Sequence, residues 1–424
     1  MLDLISTNPL ALRNILPMTL PLPRPLRALP IAAVLVLAGL VVGCETVAPD
    51  PVAPDSAATG ESAEVPHPLD DDEILVLNPP ADYLRHLPDM GLEVIDATDM
   101  HVLGKLYHLR VTDGDHPHAA RDEHRDKFPG VVVDAHHHFE HHAKKRKKKK
   151  RKIDKTYTPR KAANWHGAKN SCGTGLRVGV IDGVVDVKHR AFKGKKVTYR
   201  SFHLKGEKLA NSGHGTAVAA IIAGRGNWAG LLPGAEIVAA NVFHRGRNGK
   251  PVGSTKSIVR ALDWMIHQKV PVVNMSIGGS ANALISKAVD HAHATGMILI
   301  ASSGNDGPFS KRKSYPGAYP TVVAITAVDR FGRSARFASK GDYIDFAAPG
   351  VDVWTAVPGG GKAMSGTSFA APVAAAFAAA ARKKHGITSS DGLRDYLRQH
   401  AKDRGKPGRD EYTGWGIVQT PPIC

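Results

Sequence analysis

The segment RVGVID, residues 177–182, decides the fold of most of this 424-residue chain. Apolar residues run through it with little polar alternation, which is typical of a strand that is covered on both faces of its sheet. Similar runs rich in Val, Ile and Ala recur at 270–277, 297–302, 321–328 and 344–347. Helical stretches lie among these runs at 215–223, 254–268, 282–294 and 369–383. This alternation predicts an α/β domain with a mainly parallel sheet flanked by helices, over residues 164–424.

Three motifs in this domain carry side chains suited to nucleophilic catalysis. VIDG, 180–183, brings Asp182 to the carboxyl end of the first strand, where open α/β sheets place their sites. GHGTAVA, 213–219, brings His214 to the first turn of a helix. GTSFAAP, 366–372, puts Ser368 at the start of an Ala-rich helix, whose free N–H groups and partial positive charge favour an oxyanion.

Each motif alone also has a purely structural interpretation, as a turn Asp, a buried His or a Ser helix cap. Together they supply a nucleophile, a base to take its proton and an acid to orient that base. The motifs and their chain order of Asp, His and Ser resemble the subtilase family, over about residues 176–418. Two positions depart from the family pattern: Gly183 stands where Thr or Ser is usual, and Ala217 where a second His is common.

The resemblance implies a serine endopeptidase that acts on polypeptides through an acyl-enzyme, with Asp182, His214 and Ser368 as its triad. It also implies that Asn305, in ASSGNDGP at 301–308, donates its side-chain amide to the oxyanion, together with the Ser368 backbone N–H. The alternative for Asn305 is an ordinary loop residue in a left-handed conformation.

Substrate binding follows from the same resemblance. Ser276, Ile277, Gly278 and Gly279 would pair with an extended peptide and line the first specificity pocket, because glycines allow a close backbone approach. Ser302, Ser303 and Gly304 would form the opposite wall, and Ser314 would lie near the floor. These small residues predict broad selectivity with a preference for medium to large apolar side chains.

Two other functions compete with the peptidase. An α/β-hydrolase esterase needs Gly-x-Ser-x-Gly, but Ala370 occupies the second glycine position and the tail after Ser368 is short. A catalytically inactive subtilase scaffold that acts as a cell-surface binding protein would keep the fold without the chemistry. The presence of all four catalytic residue types argues against that second alternative.

Residues 73–142 predict a small domain before the catalytic one. Strands are expected at 74–77, 92–95, 107–111 and 131–133, with helices at 81–87 and 119–128. The order βαββαβ is ferredoxin-like. Its layout and position resemble the propeptide of subtilases, which acts as an intramolecular chaperone and inhibitor.

The basic charge of the chain is concentrated in one segment. Residues 144–152 are nine consecutive Lys and Arg, against a formal net charge of +17 for the whole chain. Such a run is self-repelling and extended, so we expect an exposed linker over 143–163. Nucleic-acid binding is the alternative for a basic run, but an export signal argues against it, and no nucleic-acid partner is expected.

The sequence predicts no cofactor and no metal centre. His136, His137, His138, His141 and His142 are dense enough to bind a transition metal, but they lack a recognised ligand spacing. Their position at the end of the small domain favours occupation of substrate subsites instead. No oxygen-rich loop indicates a structural calcium site, although calcium often supports subtilases.

The N-terminus predicts export to the cell envelope. Arginines precede an uncharged stretch, 28–43, that suits a signal-peptide core within 1–44, and Met18 is an alternative start. LVVGC, 40–44, resembles the lipobox of bacterial lipoproteins, which implies lipidation of Cys44 and anchoring to a membrane, facing the periplasm or the outside. A plain signal peptide or a single-span anchor are the alternatives. Residues 45–72, rich in Pro, Ala, Asp and Ser, predict a solvated tether.

Two further cysteines, Cys172 and Cys424, flank the predicted catalytic domain. Domain ends often lie close together and an exported chain meets an oxidising compartment, so a disulfide between them is compatible with the sequence. The sequence alone does not fix the geometry that such a bond needs.

Overall fold

The computed structural model describes residues 69–140, 153–165, 169–404 and 407–419. The predicted signal peptide with Cys44, nearly all of the tether, the basic run 144–152, His141, His142 and Cys424 lie outside these residues. In the part of the chain that is described, no helix is both long and apolar enough to span a bilayer.

The described residues form a small domain, 69–140, and a large domain, 153–419. The elements of the small domain are β1 (Leu69–Leu77), β2 (Leu92–Asp99), β3 (Lys105–Val111), α1 (Pro117–Lys127) and β4 (Val132–Glu140). The large domain begins with α2 (Pro159–Ala162), β5 (Arg177–Asp182), β6 (Val197–Ser201), α3 (Gly213–Ala223), β7 (Glu236–Asn241), β8 (Phe243–Arg245), β9 (Pro251–Ser254) and α4 (Thr255–His267). It continues with β10 (Val272–Met275), α5 (Ala283–Ala294), β11 (Ile298–Ser302), β12 (Val322–Val328), β13 (Phe346–Pro349), β14 (Val353–Val357), β15 (Gly360–Met364), α6 (Thr367–His385) and α7 (Ser390–His400).

A seven-stranded sheet forms the centre of the large domain, in the order β13-β12-β11-β10-β5-β7-β6. All its neighbouring strands run parallel. The order changes direction at β5, because β7 and β6 follow on one side of it and β10 to β13 on the other. A switch of this kind opens a crevice at the carboxyl ends of the strands, which is where Asp182 closes β5.

Helices cover both faces of this sheet, as the apolar strand pattern predicts. Side chains of α3 and α6 pack with one face, which includes Val178 and Val180 of β5. Side chains of α4 and α5 pack with the other face, which includes Ile181 of the same strand. The predicted α/β class with a mainly parallel sheet is therefore confirmed, because strand residues contribute to two separate cores.

The small domain has an antiparallel sheet in the order β2-β3-β1-β4, with α1 packed on β4 and β1. This is the strand order of a ferredoxin-like fold. Strand β4 also pairs with β9 of the large domain, so the small sheet continues into the large domain as β2-β3-β1-β4-β9-β8.

Two details of the small domain differ from the prediction. The first predicted helix, 81–87, is instead a pair of short 3₁₀ helices, Tyr83–His86 and Pro88–Met90. Its Asp82 cap makes no side-chain hydrogen bond, and Pro88 has no N–H with which to continue an α-helix. The fourth strand was expected to end at 133, but it runs on through the histidine run to Glu140.

Candidate active site

Asp182 and His214 meet at the carboxyl edge of the parallel sheet. The His214 Nδ1 atom lies 2.8 Å from the Asp182 Oδ1 atom, and the Asp182 side chain is fully buried. A carboxylate only accepts hydrogen bonds, so Nδ1 carries the proton and the Nε2 atom of His214 is the acceptor. In this tautomer the imidazole is oriented to take a proton from a nucleophile at Nε2.

Glycines allow α3 to approach β5 this closely. A Cβ atom placed on Gly215 would lie 2.3 Å from the Gly183 carbonyl oxygen, so only glycine fits after His214. The Gly183 N–H donates to Asp182 Oδ1 at 2.6 Å. The buried Asp182 Oδ2 atom has no hydrogen-bond partner within the described residues.

Ser368 lies in the first turn of α6, after Gly366 as the cap residue. Its backbone N–H is among the first four of the helix, which have no partner inside the helix. Pro372 lacks the N–H that would bond to the Ser368 carbonyl, and the Ser276 hydroxyl donates to that carbonyl at 2.8 Å instead. The proline and Ser276 together fix the start of the helix on which Ser368 is held.

The structure brings Ser368 into the same neighbourhood as the Asp182–His214 pair. Its chain neighbour Phe369 packs its ring against the His214 imidazole, with centroids 5.0 Å apart. Ser368 itself is 5% exposed. The start of α6, which carries Ser368, therefore lies beside the pair of Asp182 and His214, although the three residues are far apart in the sequence.

Asn305 is held at the start of α6 by Thr367. The Asn305 Oδ1 atom accepts from the Thr367 N–H at 3.0 Å and from the Thr367 hydroxyl at 3.2 Å. Because Oδ1 accepts both bonds, the amide is oriented with its Nδ2 donor away from them. That atom faces the start of the helix, 3.7 Å from the place of a Cβ atom on Gly366. This arrangement suits a donor to an oxyanion beside Ser368.

The residues expected to form a specificity pocket are also adjacent. Gly279 exchanges two backbone hydrogen bonds with Tyr315, at 2.9 and 3.0 Å. Gly304 has a positive φ of 91°, and a Cβ atom there would lie 2.8 Å from the Ser314 Cβ atom. Ser302 donates to the Ile277 carbonyl at 3.3 Å, which joins the two predicted walls. Ser303 is fully buried between these segments, and Ser276 supports α6 with its side chain.

Strand β4 of the small domain lies against these same residues. It pairs antiparallel with β9, with Phe139 opposite Gly253. The Phe139 ring is fully buried, and its Cδ1 atom lies 2.4 Å from the place of a Cβ atom on Gly279. Residues 138–140 therefore form an added strand on β9, and Phe139 packs on Gly279, a predicted substrate-binding residue. The space between β9 and residues 276–279 is called the groove below.

Sequence reasoning missed Phe139, because a run of histidines is a poor strand signal and the fourth strand was expected to end earlier. His136 and His137 are both buried, but their side chains lie beside different residues. His136 contacts Glu73, whereas His137 lies beside Asn282, 3.5 Å from it. Strand β4 therefore does not bring His136 and His137 together in one metal site.

Carboxylates at the domain boundary hold the small domain in place. The buried Asp263 of α4 accepts from the backbone N–H groups of His101, Val102 and Leu103 at 2.8, 2.8 and 2.9 Å. In the opposite direction, Asp134 of β4 accepts from the Ala283 N–H at the start of α5, at 2.7 Å. A carboxylate at a helix N-terminus accepts from an N–H group that has no partner inside the helix, and its negative charge interacts favourably with the positive end of the helix dipole.

An ion pair between a buried lysine and an exposed aspartate also crosses the boundary. The Lys256 ammonium of α4 lies 2.6 Å from Asp96 Oδ1, and only 4% of its side chain is exposed. Burial acts to raise the pKa of Asp96, but the hydrogen bond and charge of Lys256 outweigh it and lower that pKa.

Cys172 is disulfide-bonded. The other two cysteines, Cys44 and Cys424, lie outside the described residues, so the pairing of Cys172 with Cys424 stays a prediction.

Comparison with known proteins gives a family match over residues 173–416, to the subtilase family (Peptidase_S8). The minor extracellular protease Epr of Bacillus subtilis is 36% identical over 214 residues, which are 49% of this chain and 32% of Epr. Subtilisin DY of Bacillus licheniformis is 31% identical over 257 residues, 58% of this chain and 89% of that protein. The chain thus spans about a third of Epr but most of subtilisin DY.

Two solved structures resemble the chain in fold. Fervidolysin from Fervidobacterium pennivorans, a keratinolytic enzyme related to subtilisin, superposes with a TM-score of 0.67 at 23% identity, covering 82% of this chain and 60% of that one. The prenylagaramide maturation protease PagA gives a TM-score of 0.51 at 27% identity, covering 59% of this chain and 92% of PagA. The coverage by fervidolysin exceeds what the large domain alone could supply, so the likeness extends into the small domain.

Proposed function

The chain belongs to the subtilase family, and from this we propose that it is a serine endopeptidase that cleaves peptide bonds through an acyl-enzyme on Ser368. The observation that carries the proposal is the 2.8 Å contact between His214 and the buried Asp182, next to the start of the helix that holds Ser368. An inactive scaffold would have no use for an oriented imidazole at this place.

In the proposed reaction, the Ser368 Oγ atom attacks the scissile carbonyl carbon while His214 Nε2 takes its proton. Asp182 holds the Nδ1–H and stabilises the imidazolium that forms. The tetrahedral oxyanion accepts from the Asn305 amide and the Ser368 N–H. His214 then gives its proton to the leaving amine, and a water molecule, activated by the same base, hydrolyses the acyl-enzyme.

We expect the substrate to bind as an extended strand. The backbones of 276–279 and of β9 border the groove that β4 occupies in this structure, and β-strand addition supplies main-chain hydrogen bonds without sequence selectivity. Small uncharged residues line the walls, so the proposed preference is for medium to large apolar side chains.

We propose that the small domain is a propeptide that assists folding and inhibits the enzyme. Support comes from residues 138–140, which lie in the groove, and from the three hydrogen bonds to Asp263 at the boundary. Cleavage would fall in 139–163, a range that starts at the last two residues of β4, and would release this strand.

We also propose export and lipid anchoring through Cys44, on the sequence alone. A relative whose name describes an extracellular protease is consistent with export. Incorporation of a radiolabelled fatty acid, lost in Cys44→Ala and retained in Cys172→Ala, would support the anchor. Equal labelling of both variants would contradict it.

The peptidase proposal is tested by hydrolysis of a peptide panel with the purified enzyme after its N-terminus has been sequenced. Cleavage is expected after apolar residues, abolished by Ser368→Ala and retained by Ser171→Ala, which changes an exposed serine. Cleavage that persists in Ser368→Ala would contradict the mechanism, and cleavage only after basic residues would contradict the pocket.

A further inference from the structure

Glu73, His108 and His136 bring three metal-binding atoms together in the small domain, all within 4.8 Å of one another. They come from the neighbouring strands β1, β3 and β4, with Glu73 on the central one. The strand register explains the meeting, since Leu75 pairs with His108 and Ile74 with Ala135. These pairings place both imidazoles beside the same carboxylate.

The geometry of this cluster is tight. The Glu73 Oε2 atom lies 2.7 Å from His108 Nε2 and 2.9 Å from His136 Nδ1. The two imidazole rings are 4.8 Å apart at an angle of 70°. Both rings therefore direct a nitrogen to the same oxygen, Glu73 Oε2. In each of these two contacts a proton lies between the ring nitrogen and that oxygen.

Burial makes the cluster more than a surface contact. The side chains of His108 and His136 are 6% and 0% exposed, and that of Glu73 is 20% exposed.

We propose that Glu73, His108 and His136 form a binding site for a divalent transition-metal ion of the Zn²⁺ class. Two imidazoles and one carboxylate, with a water in the fourth position, are a ligand set that zinc accepts. Tetrahedral zinc with bonds of about 2.0–2.1 Å separates its ligand atoms by about 3.3 Å. The two short gaps would open by about 0.4–0.6 Å, and the two imidazole nitrogens, which lie within 4.8 Å of each other, would move to the same separation.

Binding of the ion moves one proton within each imidazole, from the nitrogen that becomes a ligand to the other ring nitrogen, and takes up no proton from solution. Each imidazole turns its lone pair to the ion and keeps one proton on its other ring nitrogen. For His108 that nitrogen, Nδ1, lies 3.8 Å from Asp96 Oδ2 and 3.4 Å from the Lys256 ammonium. Only Asp96 can accept the proton, and a carboxylate behind a ligand histidine orients the ring and strengthens the ligand.

The site joins three strands of one sheet, and one of them is the strand that fills the groove. An ion that binds only the folded small domain stabilises that fold by mass action. This consequence rests on the proposed role of the small domain: the ion would hold β4 in the groove and slow its release. The binding itself does not depend on whether the chain is a peptidase.

The test uses the full chain with Ser368→Ala, purified without a polyhistidine tag, and titrated with Zn²⁺ in a calorimeter. We expect one tight ion per chain, weakened at least about 100-fold in Glu73→Gln and in His108→Gln. The matched control is His141→Ala/His142→Ala, which removes two histidines of the same run and should keep this affinity. Loss of the tight site in the control, or its retention in the cluster variants, would overturn the proposal.

A second measurement needs no change to the cluster. X-ray absorption of the Zn²⁺-loaded Ser368→Ala chain should show two imidazoles and light-atom oxygen ligands, and Co²⁺ should give the intense visible bands of a four-coordinate ion. A shell of water alone, or of three or more imidazoles, would overturn the assignment. Failure of either measurement leaves the peptidase untouched, because fluorophosphonate labelling of Ser368 is read separately on the wild-type chain.

Discussion

Removal of the Asp263 carboxylate should loosen the small domain from the large one. Its two oxygens accept three backbone N–H groups from residues 101–103, and the side chain is buried within α4. Asp263→Ala would leave all three donors without this acceptor. Val102 is 41% exposed, so water can satisfy part of the loss, whereas Leu103 is 6% exposed and its N–H cannot reach water easily.

The magnitude follows from that difference in exposure. A buried donor left without a partner costs about 1–3 kcal/mol, and the two more accessible donors cost less. The sum of about 2–4 kcal/mol corresponds to a loss of about 30- to 1000-fold in the equilibrium that holds the domains together. Asp263→Asn keeps one acceptor oxygen and should lose less than Asp263→Ala.

Hydrogen exchange measures this effect in the full chain with Ser368→Ala, so that no cleavage intervenes. Amides of residues 101–103 and of β4 should exchange about 30- to 1000-fold faster in Asp263→Ala, while the central strands β10 and β11 keep their protection. The control is Asp290→Ala, which removes an exposed carboxylate from the adjacent helix α5. Unchanged exchange in the small domain, or equal acceleration in the control, would refute the reasoning.

Three more outcomes are expected. Asn305→Ala should lower kcat by about 10²–10³ with little change in KM, because the amide acts on the oxyanion; an unchanged kcat in peptide hydrolysis would count against that role. Gly279→Ala places a Cβ atom 2.4 Å from the Phe139 ring and should speed hydrogen exchange of the β4 amides. Phe139→Ala removes the clashing ring, so the double variant should show less of this acceleration than Gly279→Ala alone predicts. Burial lowers the pKa of Lys195 to about 8, so the folded state binds fewer protons than the unfolded one above that pH, and stability from this group should rise from about pH 8 to 10.5. The free energy of unfolding, measured with urea, should rise less between pH 8 and 10.5 in Lys195→Met than in Lys196→Met. Identical pH profiles of the two variants would exclude this contribution of Lys195.

The sequence predicts the central strands and helices well, because a strand buried on both faces is a continuous run of apolar residues. Strand β5 begins and ends as predicted, and α4 and α5 are within one residue of their predicted bounds at each end. The pairing of His214 with Asp182 could be inferred only from the combination of motifs, since contacts between distant residues leave no periodicity.

Other parts of the fold have no comparable local signal. Strand β7 carries Glu236 and Asn241 at its ends and was not predicted, although it lies beside β5 in the sheet. The extension of β4 depends on pairing with β9 of the other domain, which overrides the low strand propensity of the histidines. Glu73 and His108 were not recognised because their meeting with His136 depends on the register of three strands.

The most direct test of the account is fluorophosphonate labelling of the mature wild-type enzyme, with the modified residue located by mass spectrometry. We expect one label, on Ser368, that is lost in Ser368→Ala, slowed by several orders of magnitude in His214→Ala and unchanged in Ser171→Ala. A folded mature enzyme that takes no label, or one that labels equally after Ser368→Ala, would contradict it.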